Sequence, residues 1–395
     1  MSLCTRPSRL GSLAVYFRYT VRKAVIRRRT LLELAGLAAI SRIAAAGETR
    51  GPKPAARIVL VTLGGVRRQE SFSAEGVINI PHLSNDLLPQ SLFYSQTWNE
   101  GVTSHFNTIS SILTGVWQHV DDWGRQPPAH PTLFRYVQEQ LGASPAETWV
   151  VTSNKALTAN IGPGANVILS KQLLVEAVER IIKGYSKRQR LDRDMLLEEL
   201  TTVMQDDYER IGWNVASPSA ILNPETKQAF LTALGNFIHG PEGPTSGDEL
   251  TCFVAEEVLR RVSPSLLVVN FSDMEVAHSG VYSLHLAGIR KADRLVHRLW
   301  QFLQTLPEYQ GRTTMVIMSE FGRDPDGSST NGFFNHRSNT ETNRCTWMMV
   351  LGQAARRPAV IERPVRQIDL APTLGALLGV TCHQSQGSHL SEFMV

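Results

Sequence analysis

Apolar and polar positions along the chain alternate between two periods. Four short runs are continuously apolar and rich in β-branched residues: 56–63 (ARIVLVTL), 149–152, 265–271 and 314–318. They lack the in/out alternation of a half-exposed strand, so they predict strands covered on both faces, as in a parallel sheet. Between them the period changes. Across 286–306, Ile289, Ala292, Leu295, Val296, Leu299 and Leu303 recur on one helical face. Strand, loop and helix in repetition predict an α/β fold built on a doubly wound, mainly parallel sheet. The segment from about 169 to 240 departs from this rhythm, being charged, helix-forming and without strand signals. It predicts a helical insertion, either a surface addition or a cap over a site.

Polar chemistry concentrates where one of these strands ends. After 314–318 come Glu320, Arg323, Asp324, Asp326, His336 and Arg337 within eighteen positions. An open α/β sheet presents its site at the C-terminal ends of its strands. These residue types suit an oxyanion or a metal.

Composition narrows the class. With 395 residues, 42% hydrophobic and 19% charged, the chain can bury a full core. The net charge of +4 is misleading, because residues 1–46 hold nine Lys or Arg and a single acid. The remainder has 31 basic against 35 acidic residues, which argues against a nucleic-acid partner. Cys252, Cys345 and Cys382 show no C-x-x-C spacing, so a zinc–thiolate site is not indicated, while one disulfide remains open.

The basic residues at the start form a different pattern. Arg27, Arg28 and Arg29 precede the apolar run 34–40 and then Ala44, Ala45 and Ala46, an order of charged, apolar and small residues that resembles a twin-arginine export signal. Glu33, where a Lys is frequent, and the long lead before the arginines depart from that pattern. The resemblance implies a signal at 1–46, recognition by the twin-arginine export machinery, a periplasmic or otherwise exported location, and a mature domain at 47–395.

Five segments in a fixed order carry a family resemblance: VTLGGVRRQESF, SHFNTISSILTGVW, VVNFSDMEVAHSG, MSEFGRD with NHRS behind it, and QIDLAPTLGALLGV. The succession resembles the alkaline phosphatase and sulfatase superfamily. That resemblance implies a phosphate or sulfate ester as substrate and divalent metals at the sheet edge, which offset charge on the transferring group. One metal site carries over, on Asp273 or Glu275 with His278 and His336. For the second site the family's acid after the first strand is here Gly64, and its Asp-His-Gly turn is here Glu320-Phe321-Gly322. Glu320, Asp324, Glu70 and Asp326 are the acids at hand to replace lost oxygens. The family's nucleophile position, ten residues before the Gly of a Thr-Gly pair, is occupied by His105, a nucleophile, base or ligand by type. Thr108, Thr103 and Ser104 are the neighbouring hydroxyls. Arg323 and Arg337 would hold the non-bridging oxygens.

The sequence thus reads as an exported hydrolase-like protein with one divalent ion, of zinc, calcium or magnesium, acting on a small anionic ester. The alternative is a non-catalytic relative that binds an anionic ligand such as an envelope glycan or lipid headgroup. A nucleotide-binding reading finds only the Gly64-Gly65 turn, without a phosphate-loop lysine.

Overall fold

Strand β1 (Arg57–Leu63) is buried at all seven positions and lies in the middle of a nine-stranded sheet. The computed structural model describes residues 54, 56–121, 126–153, 164–174, 176–177, 224–238, 246–327 and 332–394. All of these fall in one compact unit, Arg50–Val395. The remaining strands are β2 (Leu92–Trp98), β3 (Thr148–Thr152), β4 (Asn166–Leu169), β5 (Leu266–Phe271), β6 (Thr313–Ser319), β7 (Cys345–Gly352), β8 (Ala359–Ile361) and β9 (Val365–Arg366). The order is β4-β3-β5-β1-β6-β7-β2-β8, with β9 also on β2. Among the described strands only β7 runs against the others.

Because β1 is apolar on both faces, it feeds two cores. Val59, Val61 and Leu63 face one cluster, with Ala255 and Val258 of α4 (Gly247–Arg261) and Val296 and Leu299 of α5 (Tyr282–Thr305). Phe230 and Leu234 of α3 (Pro224–Ile238) join them. Ile58 and Leu60 face the second cluster, with α1 (His105–Thr114), α2 (Leu133–Leu141) and α6 (Leu370–Leu378). Helices on both faces of a largely parallel sheet are the doubly wound arrangement that the four apolar runs predict.

Register decides where the site is. Leu63 pairs with Phe271 on one side and Ser319 on the other, so the C-terminal ends of β1, β5 and β6 finish level. The loops that leave them are the segments that carry the family resemblance.

The remaining strands carry weaker signals. β2 has a register shift between Tyr94 and Thr97, and its Ser95 and Gln96 are only partly buried. β7 (CTWMMVLG) owes its burial to Trp and Met rather than to β-branched residues. β4 has four residues, ending where the charged segment begins. Of the predicted insertion (169–240), 175, 178–223 and 239–240 lie outside the described residues, as does the whole of 1–46, and the described part includes helix α3. Among the described residues, Cys252, Cys345 and Cys382 are buried and free, so no disulfide joins any two of them.

Candidate metal centre

Three loops and one helix converge at the level strand ends. β5 leads through Ser272 into a 3₁₀ turn, Asp273–Ser279, that carries Glu275 and His278. Asp248 holds the start of this turn by accepting the amides of Ser272 (2.7 Å) and Asp273 (2.9 Å). His285 of α5 holds its middle, donating from Nδ1 to the Met274 carbonyl at 2.8 Å. Helix α1 contributes His105 at its first position. It stops at Gly115, whose φ of +72° is a left-handed conformation that closes the helix without a Cβ penalty. His336 comes from the loop after β6.

These elements bring His105, Glu275, His278 and His336 together, with one donor atom of each within 4.8 Å of the others. His278 Nε2 lies 3.2 Å from His336 Nε2. Glu275 Oε2 lies 3.2 Å from both His105 Nε2 and His278 Nε2. Separations of this size are the edges of a tetrahedron of ligands at about 2 Å from one ion. Glu275 Oε2 is also buried, with the two imidazoles facing it at ion-pair range but outside hydrogen-bond geometry, so its charge is offset by an imidazolium or by a metal cation. The four residues therefore fit a metal ion.

The atoms behind the donors are oriented too. His105 Nδ1 lies 2.6 Å from Glu320 Oε2, and Asn270 Nδ2 donates to the other Glu320 oxygen at 2.7 Å. His336 Nδ1 donates to the Thr103 carbonyl at 2.8 Å, and its ring stacks on Phe321 at 4.2 Å. Carboxylate or carbonyl acceptors on the far nitrogen fix a ligating histidine's tautomer and raise its basicity. Glu320 thus stands behind His105 rather than among the four donors, and Phe321, which cannot ligate, is a wall of the site.

Other expectations resolve differently. Asp273, the alternative to Glu275, is turned away onto Lys291 Nζ (3.0 Å) and the Asp248 amide. Asp324 accepts from Ser338 and from Asn343 Nδ2 (3.2 Å) through Oδ1, and the residue is absent from the four-donor group. Glu70 and Asp326 both pair with Arg67. Thr108 accepts from Asn99 Nδ2 at 2.8 Å and donates to the Val102 carbonyl. Arg323 is fully buried, with its nitrogens committed to Glu275 Oε1 (2.5 Å), the Gly65 carbonyl (2.8 Å) and the Phe333 carbonyl (3.3 Å). Its contacts are thus with Glu275 and two backbone carbonyls. Arg337 is exposed. The supports Asn270, Thr103 and Gly65 are missed from sequence, since each acts through one amide, carbonyl or backbone group with no type-specific signature.

Charge within the cluster is strongly redistributed. Burial would push Glu275 up, but Arg323 and His105 overcome it and hold the carboxyl well below its ordinary range. Burial would push His105 down, yet Glu275 and Glu320 hold its imidazolium well above the usual histidine value. His336, where burial dominates and His105 and Arg323 add to it against Glu275, is held well below.

Strands, register and level C-terminal ends define a mostly parallel α/β scaffold, and this chain has the fold of the alkaline phosphatase superfamily. Alkaline phosphatase PafA superposes with a TM-score of 0.54 at 10% identity over 86% of this chain and 99% of that one. The phosphonate monoester hydrolase SpPMH from Silicibacter pomeroyi gives 0.52 at 12% identity over 86% and 76%. A protein in the alkaline phosphatase superfamily from Vibrio parahaemolyticus gives 0.51 at 14% identity over 84% and 67%. No protein-family model and no curated protein matches the sequence.

Two measurements follow from these charges. An imidazolium at His105 must lose its Nε2 proton to ligate, so metal uptake at pH 7 should release about one proton per ion. Calorimetric titrations in buffers of different ionisation enthalpy report that proton, and buffer-independent enthalpies would remove His105 from the ligand set. Burial, with Arg323 nearby, lowers His285 to about 4. The unfolded chain then binds the extra proton below pH 6.5, so stability should fall by about 3 kcal/mol as pH drops from 6.5 to 4. Denaturant titrations of His285→Gln, which keeps a donor for the Met274 carbonyl, should show that slope flattened; an unchanged slope would assign it elsewhere.

Proposed function

We propose that this protein is an exported, single-metal hydrolase acting on a phosphate or sulfate ester. The observation that supports it most is the convergence of His105, Glu275, His278 and His336 at the C-terminal edge of the sheet. When bound, a divalent ion there supplies Lewis-acid polarisation of a phosphoryl or sulfuryl oxygen. The chain's own residues do the rest. Glu320 and the Thr103 carbonyl hold His105 and His336 in their ligating tautomers. Arg323 keeps Glu275 ionised. His278, with a third of its side chain exposed, marks the side open to an ester. In the net reaction water replaces the alcohol at phosphorus or sulfur, releasing the alcohol and the inorganic oxyanion.

One observation favours the non-catalytic reading, in which the protein only binds an anionic ligand. Four protein donors can fill a tetrahedral ion, and filled sites are more often structural than catalytic. Elemental analysis with assays on 4-nitrophenyl phosphate and 4-nitrophenyl sulfate separates the two. Hydrolysis predicts one ion per chain and turnover lost with the ion in the double variant His278→Ala, His336→Ala. Glu320→Gln should weaken metal affinity about 10–100-fold by unseating His105. One ion without turnover supports the binding reading, and no ion at all refutes the hydrolytic one.

Export is part of the proposal and is supported by the Arg28-Arg29 pair and the apolar run behind it. No helix among the described residues is long and apolar enough to cross a membrane. Replacing Arg28 and Arg29 with Lys should retain the precursor in the cytoplasm, and the exported protein should begin near Gly47. Fractionation that finds the double variant exported as usual would exclude the twin-arginine route.

A further inference from the structure

A second group of metal-ligating side chains converges elsewhere: His82, Asp86 and His297, with one donor atom of each within 4.8 Å of the others. His297 lies on α5 twelve residues beyond His285, roughly 18 Å further along the helix, so this group is separate from the candidate centre. His82 and Asp86 are four apart in the short helix His82–Leu87, which puts them on one side of it. The buried Asp293, one turn before His297, accepts the amides of His82 (3.1 Å) and Leu83 (2.7 Å). These bonds fix the start of the short helix against α5 and bring His82 beside His297, their rings 4.4 Å apart and within 9° of parallel. Both rings face one carboxylate oxygen. Asp86 Oδ2 lies 2.8 Å from His82 Nδ1 and 3.7 Å from His297 Nε2, and ligands about 2 Å from a tetrahedral ion stand about 3.3 Å apart, between these values. Gln301, one turn further along α5, donates its amide N–H to His297 Nε2 at 3.2 Å. An amide nitrogen only donates, so Nε2 is the lone-pair nitrogen of His297. That lone pair and the Asp86 carboxylate face each other without a shared proton, and a cation between them meets both. Side-chain exposures of 36% at His82, 48% at Asp86 and 19% at His297 give an ion access from solvent and leave the rings room to turn out of their stack.

We propose that His82, Asp86 and His297 form a second metal site, taking a divalent ion of the zinc type, with water completing its coordination, that ties the short helix His82–Leu87 to α5. Two imidazoles and one carboxylate are a donor set for such an ion. Because α5 also carries His285, which holds the turn of Glu275 and His278, an ion here braces the helix on which the candidate centre rests. The site itself is independent of the hydrolytic reading. Three partly exposed donors hold an ion less tightly than four converging ones, so it fills from added zinc after the candidate centre. Zinc chloride titrated calorimetrically into the full chain, purified without a polyhistidine tag, should show this uptake. His82→Gln and His297→Gln should each weaken it by at least about tenfold, no less than the loss of an outer-shell support costs, with thermal melts confirming that both variants fold. The uptake should persist in the double variant His278→Ala, His336→Ala, and if that variant does not fold the two glutamine variants decide alone. Hydrogen exchange reports the place: zinc should slow the amides of 83–88 in the parent chain and leave them unchanged in His297→Gln. Uptake equal to the parent's in both glutamine variants overturns the inference, since the zinc then sits on other surface groups. Uptake lost in a folded His278→Ala, His336→Ala chain overturns it too, by placing the ion at the candidate centre, as does zinc binding that leaves exchange at 83–88 unchanged.

Discussion

The buried carboxylate of Glu275 is the interaction on which the site depends. One oxygen accepts the Gly65 amide at 2.6 Å and Arg323 at 2.5 Å, and the other faces His105 and His278. Through these contacts a single side chain ties the loop after β1, the turn after β5, the loop after β6 and helix α1. An isolated carboxylate in this position would be protonated by desolvation. Arg323 prevents that, and the guanidinium is itself locked by two carbonyls, so the negative charge is kept where a cation can use it.

The surrounding polar groups extend the same logic outward. Arg67, buried alongside, is matched by Glu70 and Asp326, and Tyr282 of α5 donates to Glu70 at 3.2 Å. Asp248 and Asp273 exchange backbone contacts at the head of α4 while Lys291 offsets part of their charge. Removing one member of such a network leaves an unmatched charge, which costs more than the pair contributes. The loops at this edge are therefore held by electrostatics, whereas the sheet beneath them is held by apolar packing.

This division explains what could be read from the residues alone. The central strands and α5 were legible because burial on both faces or on one helical face leaves a periodic trace. His278 and His336, about sixty positions apart, were legible only as a resemblance, and their Nε2 atoms do meet at 3.2 Å. Partner choice left no such trace. Nothing local distinguishes Glu275, which turns inward, from Asp273, two residues away, which Lys291 and Asp248 draw aside. Arg323 likewise reads as a substrate-binding fork until its burial and its three acceptors are seen. His105 reads as nucleophile, base or ligand by type, and only the convergence with Glu275 and the support from Glu320 favour the last.

Gly64 carries a consequence for how this site can change. A Cβ there would lie 2.5 Å from Glu275 Oε1 and 3.1 Å from Met274 Sδ. The absence of a side chain is thus the room in which the Glu275–Arg323 pair sits. An acid does not fit at position 64 while that pair keeps its place, and the pair cannot be dismantled singly without stranding a buried charge. Positions 64, 275 and 323 are therefore coupled: a side chain at 64 requires the pair to move, and loss of either partner strands the charge of the other. Drift at this locus should therefore be block-wise, with the three residues travelling together or not at all.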